Sequence, residues 1–521
     1  MFRAPPDSES GSRIHPISPY PLHWWFKYPQ PRQPPPPMSS GAFPVIIAGG
    51  GPSGLATALM LKQRGVGEII VVEKRSAESF TEAVAYTYLI NGRGQRLTDL
   101  LGITGSISQV GIGMSEVKEL HEFTPNGELK VKKMHRPPSL SENYFLPRDR
   151  LLDILKQKVS EVNASSETKH PIKLLYSTTI LSIEKTIDGG LEVRLQNNSD
   201  TNAQPEVLQT NFLIGCDGVH STTRKFLEQH QAMNITCLSS PSVGLRFKML
   251  KLNPNPSLPQ YASEKFYTIV NNGTSTFNRF RLTFFPVRDL KDPNRPLIRT
   301  CANVCLAKHE LWEQVTVDGL KQLFRNRFPQ LNVSEFFSDE ELERFVNDRG
   351  GVFPQIQYTD KVQATFTGTN ISSHVVLLGD AAHCFPPDLG AGVNAALEDV
   401  FRLHSALEQC QGDLALALPV FESSAVPENR ALCEIVQYAF PYQYRQSIFM
   451  FQMNLLNMAF RSILSKIMPP LFSPSAFGMT LNHKLPYSEI IRRAHATTRN
   501  IYLLCGVLVS ACSYYFFRKR N

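Results

Sequence analysis

The sequence predicts an α/β chain: a parallel-sheet domain interleaved with a mainly antiparallel sheet, then a helical C-terminal region and one C-terminal transmembrane helix. Three patterns predict it. Residues 44–73 pass from an apolar strand through a glycine-rich turn into a helix and a second apolar strand. Residues 242–310 alternate apolar and polar side chains in short segments such as SVGLRFKML, KFYTIV and RFRLTFF. Ile501–Phe517 is an uncharged apolar run between basic flanks. With 521 residues the chain is too long for one ordinary core.

Composition excludes several classes. At 42% hydrophobic and 19% charged the chain is neither disordered nor fibrous. Of the net charge of +8, residues 1–40 carry +2 and the stretch after Glu489 carries +6, so the body between them is neutral. No nucleic-acid partner is expected of a neutral body. Nine scattered cysteines without a C-x-x-C pair argue against a metal site and a disulfide framework.

The opening motif comes first. Val45–Ala48 is a short buried strand, and Gly49, Gly51 and Gly54 give G-x-G-x-x-G before an apolar-periodic helix. The first glycine makes a tight turn, the second lets backbone approach a pyrophosphate, and the third lets helix and strand pack closely. The helix start at Pro52-Ser53 offers free N–H groups to phosphates. Glu73 ends the next strand, where a carboxylate can accept from ribose hydroxyls, and Arg75 follows it. This is a Rossmann-type dinucleotide site, and the motif alone does not choose between NAD and FAD.

Two further motifs follow. Asn211–Arg224 carries an apolar strand into Asp217-Gly218, and Val375–Val400 carries one into Gly379-Asp380, then Pro386-Pro387 and a helix opening near Gly392-Val393-Asn394. Alone, Asp217 reads equally well as a turn former and Asp380 as a helix N-cap. Downstream of the glycine fingerprint, the joint reading is cofactor binding.

These three motifs, in this order and spacing, resemble the aromatic hydroxylases of the para-hydroxybenzoate hydroxylase type over roughly residues 43–470. The resemblance implies FAD as cofactor, with NADPH and O2 as co-substrates and a small, aromatic substrate that receives one oxygen atom through a C4a-hydroperoxyflavin. It assigns Asp380 to a ribityl hydroxyl, the helix start at Val393-Asn394 to the flavin pyrimidine, and Pro386-Pro387 to the isoalloxazine. It places Arg148, in FLPRDRL, beside FAD, and gives Asp217-Gly218 to both FAD and NADPH. His383 is a weaker catalytic candidate, since it also reads as a packing residue. Within the family the kynurenine 3-monooxygenases are the most similar, through GDAAH, Leu418–Phe421, Met468-Pro469 and the membrane segment. Their substrate-carboxylate residues look absent: Gly111–His121 has no arginine, and Ala439 and Ala476 stand where polar partners are expected. That predicts a less polar substrate, unless Lys118 or Arg136 replaces the charge. A membrane-associated flavin epoxidase or reductase acting on a lipid or isoprenoid, and a non-catalytic flavin sensor, are the rival readings.

The expected organisation is a Pro-rich disordered lead-in at 1–42, with 11 of the 37 prolines before residue 41. A cofactor domain at 43–241 and 351–410 encloses a substrate-covering sheet at 242–350, in which Asn271-Asn272-Gly273 suits a hairpin turn. A helical region at 411–490 precedes the anchor at 501–517. The Met- and aromatic-rich stretch 435–477 reads as core more readily than as a binding surface, though its place just before the anchor also suits a membrane-facing or pocket-capping role. The anchor's short length and basic flanks point to the mitochondrial outer membrane, with the endoplasmic reticulum as alternative and the catalytic body in the cytosol. Met38 is an alternative start to Met1.

Overall fold

A computed structural model describes residues 43–520 apart from 78–85, 118, 125, 134–140, 201–203, 254–264, 272–279 and 289–296. The Pro-rich lead-in, Lys118, Arg136 and the turn residues Asn272-Gly273 therefore lie outside the described residues.

A six-stranded sheet runs in the order Gln363–Thr367, Ser372–Leu377, Phe212–Gly215, Val45–Ala48, Ile69–Val72 and Ile172–Leu175. All its neighbours pair in parallel except the antiparallel edge strand Gln363–Thr367. The strands Val45–Ala48, Ile69–Val72 and Phe212–Gly215 are buried at every position, which is why they read as unbroken apolar runs. Each motif strand ends at the same edge of this sheet. The chain order alone thus brings Gly49, Cys216 and Leu378 side by side: Cys216 N–H donates to Ala48 O (2.8 Å) and Leu378 N–H to Gly215 O (2.9 Å).

A seven-stranded sheet runs Gly351–Val352, Arg246–Lys251, Leu297–Cys305, Arg281–Val287, Lys265–Val270, Glu119–Phe123 and Leu129–Lys133. It is antiparallel except where Lys265–Val270 meets Glu119–Phe123. Two of its strands come from residues 119–133, so it reaches back beyond the expected start at 242. One face is sealed by the helices Val317–Arg327, Val333–Phe336 and Asp339–Asn347 through Leu282, Phe284, Phe324, Phe328 and Phe336. The other face carries Phe247, Phe266 and Phe285. Phe266 meets Phe145 at a ring distance of 5.3 Å, on the strand Tyr144–Pro147.

The helix Gly392–Gln409, here the cradle helix, crosses behind the motif strands and buries Glu398 and Asp399 to 1% exposure each. Glu398 pairs with Arg96, with Arg402 (3.3 Å) and with Arg93 (3.8 Å). Arg402 also reaches Glu428 (3.7 Å), which accepts from Tyr487 N–H (2.7 Å). The Arg93 guanidinium lies 4.0 Å from the centre of the Tyr487 ring. Tyr487 starts the helix Tyr487–Arg520, so the apolar run expected at 501–517 is the distal half of a longer helix. Its proximal half packs through Tyr487, Ile490 and Ala494, whereas Tyr502 to Phe517 projects free, with Leu503 63% and Phe517 73% exposed.

Burial alone would lift the Glu398 carboxyl, but Arg402, Arg96 and Arg93 outweigh it and hold it at about 2 against an ordinary 4.5. A depressed carboxylate stabilises the fold fully above its unfolded value and loses that contribution as pH falls from 4.5 towards 2. Glu398→Gln leaves three guanidiniums without their shared anion and should cost about 3–5 kcal/mol. Urea unfolding of the detergent-extracted protein checks this. An unshifted midpoint at pH 7 would show the network to be dispensable.

A candidate cofactor cleft where three motifs meet

Gly49 leaves its strand at φ 99°, and a Cβ there would stand 2.4 Å from Cys216 O. No L side chain fits that turn. A Cβ on Gly54 would lie 1.9 Å from Gly49 O, so the helix Pro52–Gln63 can start this close to the turn only through glycine. Gly51 differs: nothing lies within 4 Å of its missing Cβ, and the helix start opens onto free space. Glu73, 7% exposed, accepts from Gly50 N–H (2.9 Å) at one oxygen and from Arg75 N–H (3.0 Å) at the other. It locks the turn while each oxygen keeps a further lone pair. Ser53 turns its hydroxyl inward to Cys216 Sγ (3.6 Å).

The second motif is held by its own helix. Asp217 accepts from Thr222 N–H (2.7 Å), Thr223 N–H (3.0 Å) and the Ser221 hydroxyl (2.5 Å). The carboxylate therefore takes up the first free N–H groups of the helix Thr222–Gln229, whose N-cap residue is Ser221. Gly218, at φ 75°, faces open space. Buried Arg224 ties this motif to the third by donating to Ala381 O (2.9 Å) and Val219 O (2.6 Å).

In the third motif Gly379 turns at φ 61°, 3.0 Å from Ala396 Cβ and 3.6 Å from Ser53 Oγ as measured from its missing Cβ. The cradle helix and the glycine-motif helix thus close on one point. Asp380 is reached by solvent but surrounded by protein. Burial raises its carboxyl above the usual range, against the pull of His383, Arg148 and Arg224. Among the described residues no hydrogen bond reaches that carboxylate. A solvent-accessible yet desolvated acid without a partner marks the wall of a cleft. Tyr88 repeats the pattern: it is half-buried, and burial first, then Tyr86, pushes its phenol well above the ordinary value. Beside it, burial draws Arg148 down, but Tyr88 and Tyr86 more than restore it. Arg75, drawn down by burial and then by Arg148, completes this rim with Glu73. Gly390 and Gly392, at the mouth of the cradle helix, again have open space where a Cβ would stand. Pro387 is exposed there and Pro386 buried.

Two expectations change. His383 is 1% exposed, and its Nε2 lies 2.7 Å from Asp399 Oδ2, which also accepts from Gly379 N–H (2.9 Å). A group that would touch a bound molecule must be accessible when the cleft is open, and His383 is not. It shares Asp399 with Gly379 N–H and so positions the Gly379-Asp380 turn. Asn394 is also fully buried. Its side chain donates to Leu89 O (2.7 Å) and accepts from Asn91 N–H (2.9 Å), fastening the strand Thr87–Ile90 to the cradle helix. Val393 and Asn394 face the cleft through the helix start only. Sequence reading missed Tyr86 and Tyr88, whose rings meet edge to face at 5.2 Å. Their Tyr-x-Tyr spacing, which puts two phenols on one strand face, was the available signal.

The family model described as FAD binding domain matches residues 42–413. Kynurenine 3-monooxygenase of Sus scrofa is 21% identical over 86% of this chain and 86% of its own length. An FAD-dependent monooxygenase of Aspergillus novofumigatus is 24% identical over 83% of this chain and 85% of its own. Among solved structures, 2-methyl-3-hydroxypyridine-5-carboxylic acid oxygenase superposes with a TM-score of 0.54 at 18% identity, covering 87% of this chain and 98% of that one. The flavin-dependent monooxygenase PieE, solved with FAD and substrate, gives 0.54 at 16% identity, over 88% of this chain and 72% of that one.

Asp380→Ala removes a carboxylate that no hydrogen bond reaches among the described residues. It should weaken retention of a hydroxyl-bearing cofactor by ~1–3 kcal/mol. The ratio of flavin to protein absorbance after gel filtration checks this, and unchanged occupancy would remove Asp380 from the site.

Proposed function

We infer the function from one premise: the chain belongs to the FAD-binding-domain family and is an FAD-dependent oxidoreductase. Its reaction, on this reading, is NAD(P)H-consuming monooxygenation of a small aromatic substrate, similar to that of kynurenine 3-monooxygenase. The observation that carries the reading is the convergence of the three motifs on one cleft.

The cleft suits FAD on its own geometry. The open space at Gly51 lies over the start of a twelve-residue helix, where N–H groups and the positive helix end favour a pyrophosphate. Glu73 stands at the strand end with spare lone pairs for ribose hydroxyls. Asp380 lacks the donors that ribityl hydroxyls would supply. The start of the cradle helix, open at Gly390 and Gly392, directs its N–H groups where a reduced flavin gathers negative charge. Arg148 and Arg75 add positive charge at the rim. Pro387 offers a surface without an N–H to the ring system. Bound FAD supplies the redox chemistry, accepting a hydride from NAD(P)H and, once reduced, delivering an oxygen atom from O2 to the substrate. The second sheet does the chain's part in excluding water, because its ring-lined face closes over the cleft.

A membrane site accompanies this reading. Among the described residues one helix, Tyr487–Lys519, is long and apolar enough to cross a bilayer, its most apolar 18-residue window having a mean hydropathy of 1.5. The helix Ile448–Ile467 beside it leaves Phe449, Leu456, Phe460, Ile463 and Ile467 exposed. The stretch 435–477 thus divides: Ile435, Val436 and Ala439 are core, while the helix Ile448–Ile467 buries Leu464 and suits the membrane-facing alternative. Arg461 ties this helix to the anchor base through Thr498 Oγ1 (2.8 Å). The exposed apolar face also favours a second reading, an epoxidase or reductase fed by a membrane lipid. NADPH oxidation stimulated by aromatics and not by isoprenoids separates the two, and none by either would leave a flavin sensor.

Two outcomes are expected. Truncation after Arg499 should release the protein from membranes with its flavin bound. Sedimentation with membranes unchanged would assign attachment to the helix Ile448–Ile467 instead. Kynurenine should be a poor substrate, since losing even one charged hydrogen bond of ~1.5–3 kcal/mol weakens binding about tenfold or more. Tight, coupled turnover in an NADPH and product assay would overturn that pocket argument.

A further inference from the structure

The helix Ile448–Ile467 is turned inside out. Its half-buried side carries Asn454, Met458, Arg461 and Ser465. At about 100° per residue, Phe449, Met453, Leu456, Phe460, Ile463 and Ile467 fall on the opposite side. All six are exposed, from 46% at Phe460 to 69% at Phe449. A helix of a soluble domain buries such a stripe and shows water its polar side. Here twenty residues, a rod ~30 Å long, present a continuous apolar face outward. A face of that extent marks a contact with something other than water.

Two observations say what covers it. The first is position. Arg461 donates to Ala494 O (3.4 Å) and Thr498 Oγ1 (2.8 Å), Ser473 N–H to Thr497 Oγ1 (2.8 Å), and Asn500 to Leu471 O (2.7 Å). The helix and the turn after it are thus fastened to residues 494–500 of the C-terminal helix, and the apolar run 501–517 starts at the next residue. A helix held at that level lies where the crossing helix would enter a bilayer. The second is charge. Between Glu434 and Glu489 the chain holds Arg445, Arg461, Lys466 and Lys484 and no Asp or Glu. The 4-3-4-3-4 spacing of the stripe would also suit a seam with a second copy, but such seams are matched by opposite charges beside them. Lys466 and Arg461 stand on the two shoulders of this stripe, so two copies would meet like charge with like. Apolar residues flanked by cations fit the acyl boundary and anionic headgroups of a lipid surface.

We propose that the outward face of the helix Ile448–Ile467 lies in the plane of an anionic bilayer leaflet, as a second membrane contact beside the crossing helix. The inference rests on the membrane part of the reading above and deepens it. An interfacial contact is far weaker than a crossing helix, so it orients the body and leaves retention to the anchor. One crossing helix alone lets the body swing about its base, and a second contact fixes its tilt. The residues just before the helix carry that tilt to the cleft. Gln443 donates to Asp388 O (2.9 Å), Gln446 to Pro241 O (3.2 Å), and the Phe451 ring meets Phe440 at 6.1 Å. The seat therefore holds the Pro386–Gly390 side of the cleft towards the membrane.

The test is photolabelling of the full-length, FAD-loaded protein in vesicles whose phosphatidylcholine carries a diazirine on its acyl chain, with labelled peptides read by mass spectrometry. One set of vesicles also contains phosphatidylserine. In that set the label should fall on the stripe of Ile448–Ile467 as well as on 501–517, and the stripe should be labelled less without phosphatidylserine. The double variant Leu456→Asp, Phe460→Asp should lower labelling of this helix at least ~10-fold, with flavin content and labelling of 501–517 unchanged. The apolar pair Leu456→Met, Phe460→Leu should keep it. A helix labelled equally with and without phosphatidylserine, or equally in the Asp variant, would overturn the seat. So would amine cross-links joining Lys466 of two copies in the vesicles, which would give the face to a second copy. Label on 501–517 alone would sink the seat and leave the anchor standing, and label on Ile448–Ile467 alone would sink the crossing anchor and leave the seat.

Discussion

Everything at the cleft hangs on two adjacent acids, Glu398 and Asp399, buried in the middle of the cradle helix. Burying carboxylates is unfavourable unless each is paired, and the chain pairs them in opposite directions. Asp399 looks forward, holding Gly379 N–H and His383, and so sets the turn that presents Asp380. Glu398 looks back to Arg93, Arg96 and Arg402. Through Arg402 and Glu428 the same charges reach Tyr487, the first residue of the anchor helix. One helix thereby fixes the Gly379-Asp380 turn on one side and the base of the long C-terminal helix on the other.

That arrangement explains why the site can be rigid beneath and open above. The glycine contacts at Gly49, Gly54 and Gly379 leave no room for adjustment under the cofactor. The opposing side, by contrast, is built from a chain of rings, Tyr86, Phe247, Phe353 and Tyr444. A rigid floor with a variable roof lets one family scaffold serve many substrates, because substrate choice sits on elements that do not carry the cofactor.

Much of the floor was legible in the sequence because backbone geometry there admits few residues. Gly49 needs a positive φ, and Gly54 must pass within contact of Gly49 O; both constraints leave glycine in the sequence. Asp217 and His383 show the limit of that reading. Aspartate before glycine and histidine after GDAA look the same in sequence whether they face a ligand or a helix end, and here they face a helix end and a buried acid. The roof was illegible for a different reason. Tyr86, Phe247, Phe353 and Tyr444 are far apart in sequence and meet only through ring contacts. The exposed face of Ile448–Ile467 was ambiguous in sequence because methionines and aromatics suit a core and a bilayer equally.

The most direct measurement of the central claim is the identity and stoichiometry of the chromophore released by heat from the full-length, detergent-extracted protein. Three motifs meeting at one cleft predict one FAD per chain, released without covalent cleavage and retained through gel filtration. A colourless protein that neither carries nor takes up FAD, or one that retains NAD in its place, would contradict the account.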